Sequence, residues 1–203
     1  MDGREVIGLD GKPVNYTRNG DGTITWSSNA TEDIKKIGGA MLSTEFGEKQ
    51  FNWLQNSKTK FTLTYNATKL FKKGYGQRKM SGKTNEDGSP VSGEIIIYEK
   101  SILNIDEKDG NNRFDKTAND ESIGAVSVHE RFHFEQDQKK LDDDYEDELD
   151  QPANQNLPIN SEYNFRKEYR QKNGGDVNRL KVYEDNGYYG LDENNKPVEP
   201  NGN

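Results

Sequence analysis

Polar positions dominate this chain, and the apolar ones fall into short, well-separated patterns. Residues 14–16 and 23–26 alternate apolar and polar side chains, which predicts two small strands. Asp-Gly pairs at Asp2-Gly3, Asp10-Gly11 and Asp21-Gly22 punctuate this region and predict tight type I′ hairpin turns. Over residues 29–43, Ile34, Ile37 and Met41 recur at helical spacing. Asn29 or Thr31 can cap this helix, and Glu32 and Asp33 suit its positive N-terminus. The Gly38-Gly39 pair weakens the helix unless something packs closely there. A second helix is expected over 48–55, with Phe51 and Leu54 inward. Residues 60–65 alternate Phe61, Leu63 and Tyr65 as a half-buried strand, and 94–99 form the most apolar strand of the chain. Between them, 72–93 is a basic, Gly-rich surface loop or hairpin. Residues 106–120 are again polar, with a turn at 109–112. A helix follows over 121–140, then a Pro/Asn loop over 150–160. A last helix covers 161–172 and stops at Asn173-Gly174-Gly175. The Tyr-rich segment 180–191 reads as extended, and 193–203 as a disordered tail.

Composition narrows the classes. Of 203 residues only 29% are hydrophobic, so a small core must carry long polar connections. No run of 18 apolar residues exists, which excludes a membrane-spanning helix. The charged, Gly-rich N-terminus has no apolar stretch and is not a signal peptide. Cysteine is absent, which excludes disulfides, thiol catalysis and Cys-ligated zinc. Residues 135–150 carry nine acids and two bases, nearly all of the chain's net charge of −8. That block reads as a solvated helix end and loop. No basic stripe marks a nucleic-acid footprint.

The two histidines of the chain lie in one pentapeptide, His129-Glu130-Arg131-Phe132-His133. Two histidines placed at random in 203 positions fall four apart only about 1% of the time, and rarer still with Glu following the first. On a helix, positions i and i+4 share a face, so both imidazoles can bind one zinc ion at about 2.0–2.1 Å. Glu130 then stands beside a water polarised by that ion, as a base that can return the proton to a leaving amine. Ile123 and Val126 lie on the histidine side of the helix, and Ala125, Val128 and Phe132 on the other. That pattern predicts a buried central helix. Buried there, two histidines and a glutamate are costly unless a metal satisfies them.

A third protein ligand must be a carboxylate or a tyrosine. Asp137 shares the face but lies eight residues beyond His129, about 12 Å along the axis. The position six after His133 is Lys139, a cation. The ligand should therefore come from another helix, and Glu162 is favoured because on the last helix it shares a face with Phe165 and Tyr169. Glu168, nearer the edge of that face, is the alternative or outer-sphere candidate. A developing oxyanion also needs a donor, and Tyr183, Tyr188, Tyr189 and Arg179 are the candidates.

Residues 121–135 together with 161–174 resemble the small Glu-zincin (gluzincin-like) peptidases that bacteria use as effectors and toxins. Their second motif is of the type Glu-x-x-Ala-x-x-x-Glu-Asn-x-x-Arg. Glu162 matches its ligand position, and Glu168 and Arg170 lie near its later Glu and Arg. Phe165 stands where a small residue is usual. Residues 7–51 are similar to the junction that follows the core of Rhs/YD-repeat polymorphic toxins. The resemblance implies an α+β, zincin-like fold, in which a small mixed β-sheet packs on the active helix and on a second, ligand-bearing helix. It implies a hairpin extension over 1–28, a metallopeptidase domain over 29–192 and a tail over 193–203. It further implies one Zn²⁺ per chain, a secreted or delivered toxin that is part of a larger protein, a protein substrate in a neighbouring cell and a cognate immunity protein. The alternative reading is a non-catalytic, zinc-stabilised module that acts by occupying a partner. An enzyme acting on a non-peptide amide is a third.

Overall fold

The computed structural model describes residues 6–72, 74–108, 119–139, 152–153 and 156–199, without the side chains of 104–108 and 137–139. The turns expected at Asp2-Gly3 and at 109–112, the side chains of Asp137 and Lys139, most of the acidic block and the last four residues lie outside these. The elements are β1 (Tyr16–Arg18), β2 (Ile24–Trp26), α1 (Glu32–Met41), α2 (Glu45–Gln55), β3 (Lys60–Asn66), β4 (Gly76–Met80), β5 (Ser92–Tyr98), α3 (Glu99–Lys108), α4 (Asp120–Lys139), α5 (Leu157–Asn173), a 3-10 turn (Val177–Leu180) and α6 (Lys181–Glu184). The chain is α+β. Among the described residues no helix is long and apolar enough to cross a membrane.

A mixed sheet runs in the order β3-β5-β4. β3 and β5 are parallel, Lys60 opposite Ser92, and β4 is antiparallel to β5, Gly76 opposite Ile97. The two strands expected from sequence are thus direct neighbours. β4 lies within the segment expected as a surface loop or hairpin, and its antiparallel pairing with β5 makes it the hairpin. Its sequence, GQRKM, is polar because it is an edge strand, and its place is set by pairing with the apolar β5. Helix α4 packs against this sheet, α1, α2 and α5. Ile123, Ala125, Val126, Val128, Phe132 and Phe134 are all buried, so α4 is the central helix that the two-sided apolar pattern predicts.

Helix ends follow local chemistry. Thr31 caps α1, Thr44 caps α2, Asn119 accepts from the Ser122 N–H at the start of α4, and Asn156 caps α5. α5 begins earlier than expected because Pro158 falls in its first turn, where a missing N–H costs nothing. It ends at Gly174, whose φ of 71° is left-handed. Gly38 does admit close packing: a Cβ there would sit 2.6 Å from Trp26, whereas Gly39 faces open space. The 180–191 segment is not extended throughout. It holds the end of the 3-10 turn and α6, seated by the buried Leu180, Tyr183 and Tyr188 around Tyr163.

The hairpin β1–β2 forms as expected, but it is no appendage. Val6 and Val14 are fully buried, and Val6 bridges Phe61 along the outer side of β3. Tyr16, Trp26 and Phe51 meet edge-on or tilted at 5.7–5.8 Å between ring centres. Residues 6–28 therefore belong to the same core as α1 and α2. The tail is ordered further than expected, since Leu191 bridges Pro197 across a turn.

Among the described residues one turn recurs four times, a repeat not visible as Asp-Gly pairs alone. At residues 8–12, 19–23, 85–89 and 192–196 the first N–H donates to the fifth carbonyl, and the fourth N–H to the first. The fourth residue is left-handed in each: Gly11, Gly22, Gly88 and Asn195, with φ of 71°, 85°, 83° and 57°. Only that residue has positive φ, so these are type I turns with a glycine bulge rather than type I′ turns. An Asp carboxylate accepts the fifth residue's N–H, from Asp10, Asp21, Asp87 or Asp192. Their carboxyls are held below the ordinary value, chiefly by Asn29, Thr23, Lys58 and Lys196 respectively. Gly88 has nothing within 4 Å of a would-be Cβ, so Gly88→Ala tests backbone conformation alone. It should cost about 1 kcal/mol, while Asn195→Gly should leave stability unchanged or raise it by a few tenths. Urea unfolding of both variants measures this, and an unaltered midpoint for Gly88→Ala would contradict the turn assignment.

Candidate functional site

The site lies where α4 faces α5. Gly124 of α4 lets the helices approach: a Cβ there would fall 2.1 Å from the Phe165 ring. Phe165 thus fits where a small residue stands in the resembling motif, because the space it needs is vacated by Gly124. One turn on from Gly124, His129 and His133 share a face as their spacing requires. Their Nε2 atoms are 3.1 Å apart and their rings stand at 69°. Two nitrogens held at about 2.0–2.1 Å by one tetrahedral ion are roughly 3.3 Å apart. The imidazole pair thus has ligand spacing.

Glu130 is 6% exposed and lies against β4, where a Cβ on Gly76 would stand 2.6 Å from its Oε1 and 2.8 Å from Val126. The absence of a side chain at 76 is what leaves room for the Glu130 carboxylate. Glu162, 7% exposed, points inward from α5 as its face predicts. Its Oε1 lies 2.9 Å from His129 Nδ1, and its Oε2 accepts from the Tyr183 hydroxyl at 2.8 Å. Arg166 Nε is 3.7 Å from the same Oε2. Burial alone would push the Glu162 carboxyl up, but His129, Arg166 and Tyr183 together outweigh it and hold the group below its ordinary value.

Behind this carboxylate runs a second charge layer. Arg166 Nη1 is 3.4 Å from Glu121 Oε1, and Arg170 Nε donates to that oxygen at 2.6 Å. Arg170 Nη1 also donates to the Asp176 carbonyl at 3.0 Å. Burial works against the Arg166 charge, but Tyr183, Glu162 and Glu121 more than offset it and raise its pKa. Glu121 and Glu162 are thus two buried carboxylates facing two buried guanidiniums, Arg166 and Arg170, while Glu130 is buried on the β4 side of α4.

Among the described residues no three imidazole or carboxylate groups converge on one point. Glu162 faces the Nδ1 edge of His129, so a metal on the two Nε2 atoms would compete with that ring for the carboxylate. By residue type, two imidazoles and a carboxylate are donors that zinc accepts.

Two expectations change. Glu168 belongs to another job: the Glu45 and Phe46 N–H groups donate to its two oxygens, Phe46 at 2.9 Å, so it caps α2. Six residues beyond Glu162 it points toward α2 rather than toward the histidines. Tyr183 does reach the site, but its hydroxyl is committed to Glu162 rather than presented to an oxyanion. Tyr188 packs in the Tyr163–Leu180–Tyr183 cluster, Tyr189 is half-buried, and Arg179 is exposed on the 3-10 turn. Arg131 also escaped notice. It is buried on the Trp53 ring at 4.1 Å and paired with Glu135, and burial lowers its pKa to about 10.

Compared with protein-family models, curated proteins and solved structures, the chain matches none.

The two acidic residues of α5 should therefore separate by experiment. Glu168→Ala should cost about 1 kcal/mol of stability through the lost cap and leave zinc uptake at the wild-type level. Urea unfolding and metal analysis of the same preparation check both arms, and a loss of zinc would return Glu168 to the ligand set.

Proposed function

We propose that the chain is a zinc-dependent hydrolase of amide bonds, an endopeptidase of zincin-like design. The observation that carries the reading is the pair of imidazole Nε2 atoms 3.1 Å apart, with the buried Glu130 one residue from the first of them. A polar edge strand antiparallel to its neighbour and lying beside that helix supports the zincin-like comparison. His129, His133 and Glu162 are the residues that would hold the ion. When bound, zinc supplies Lewis-acid polarisation of the scissile carbonyl and acidifies a water.

The chain's own residues supply the rest. Glu130 accepts one proton from the attacking water as its oxygen bonds to the carbonyl carbon. It then delivers that proton to the nitrogen as the C–N bond breaks. Gly76 keeps the space in which that carboxylate turns. Arg131, wedged on Trp53, anchors the same turn of α4.

The resemblance to gluzincin effectors and to the Rhs junction extends this reading to biology. The chain acts as a toxin domain, secreted or delivered as part of a larger protein, that cleaves a protein in a target cell. A cognate immunity protein restrains it in the producer.

Glu130→Gln should keep zinc and melting temperature near wild type while hydrolysis of a protein substrate falls about 10²–10⁴-fold. Growth arrest on intracellular expression should vanish with it. Toxicity that persists in zinc-replete Glu130→Gln protein would favour the partner-occupying module instead. Gly76→Ala should also lower turnover, because its methyl meets Glu130, and should spare zinc. His133→Ala should lose most of the bound zinc; stoichiometric metal in that variant would overturn the ligand assignment.

A further inference from the structure

We infer that Arg166, anchored by Glu121, is the positioning residue that aims Glu162 at the histidines; this rests on the metal-site reading above. The two oxygens of Glu162 face different surroundings. Oε2 accepts from the Tyr183 hydroxyl at 2.8 Å and has the Arg166 guanidinium beside it at 3.7 Å, as an ion pair rather than a hydrogen bond. Oε1 is turned to His129 Nδ1. A carboxylate held on one oxygen by a donor and a neighbouring cation presents the other in a fixed direction, which is how outer groups orient metal ligands.

Arg166 is suited to this because it is itself held. It is 1% exposed, and its other end lies 3.4 Å from Glu121, which Arg170 fixes in turn. The chain Arg170–Glu121–Arg166–Glu162 thus ties the first turn of α4 to the ligand-bearing face of α5. A guanidinium near a cation also repels it. Here Glu121, shared with Arg170, and Glu162 itself offset part of that charge. Tyr183 secures the same oxygen from α6, which makes Arg166 the part of the clamp carried by α5 itself.

The test uses the full-length chain, with zinc affinity by chelator competition and the visible spectrum of the Co²⁺-substituted protein. Arg166→Met should bind zinc about 10–100-fold more weakly and alter the cobalt bands. Arg166→Lys, which keeps the charge but not the fork, should recover part of the loss and remain about three- to tenfold weaker than wild type. Phe165→Leu loosens the same helix contact without touching Glu162 and should bind zinc as wild type does. The inference is overturned if Arg166→Met binds within twofold of wild type with an unchanged cobalt spectrum, or if Phe165→Leu weakens binding equally. Should Arg166→Met not fold, Arg166→Lys decides alone, and wild-type affinity in it overturns the inference. A wild-type chain that takes up neither ion fails at the first measurement. That result sinks the metal-site reading and the inference with it.

Discussion

Charge is buried at the centre of this molecule, between α4 and α5, and the fold is arranged to bear it. Two carboxylates, Glu121 and Glu162, and two guanidiniums are buried between the helices, with two half-buried imidazoles beside them and Glu130 buried on the β4 side of α4. Each removed from water alone would cost several kcal/mol. The fold answers with reciprocal contacts: Glu121 takes both Arg166 and Arg170, and Glu162 takes Arg166, Tyr183 and the His129 edge. Two carboxylates thus meet two guanidiniums, and the histidine pair stands at the open side of Glu162.

The surrounding elements can be read as supports for that cluster. Gly124 admits Phe165 and sets how closely α5 can approach. Glu168 grips the first turn of α2, so the helix that carries Glu162 is also fastened to the N-terminal half of the core. Thr44 completes the same cap. On the far side Gly76 makes room for Glu130 at the sheet edge. Two glycines and two capping groups thus fix where the cluster sits.

How much of this was legible depended on the kind of signal. His129, Glu130 and His133 stood out because the chain has no other histidine, and Glu162 followed from sharing a face with Phe165 and Tyr169. α1, β3, β5 and α4 were legible from periodicity, since each buries one or both faces. β4 was not, because an edge strand beside an apolar neighbour needs no apolar pattern of its own. α6 and the 3-10 turn were missed because such short helices are held by packing of Leu180 and Tyr183 rather than by their own propensity. The Arg166 and Arg170 layer did leave a trace. Both lie four and eight residues beyond Glu162 on the inward face, and buried cations there demand an acid on the facing helix, which is Glu121.

The low hydrophobic content also finds its physical answer. A chain with 29% hydrophobic residues cannot hold every connection by burial. It closes four of them with the same hydrogen-bonded turn, each locked by an Asp carboxylate and a left-handed residue. Such turns are local: they ask nothing of the core, and their strength comes from backbone geometry and solvent-exposed carboxylates. The apolar residues that remain can then be concentrated around α4. Few apolar side chains and a largely buried central helix are therefore compatible, because the polar turns relieve the core of holding the periphery.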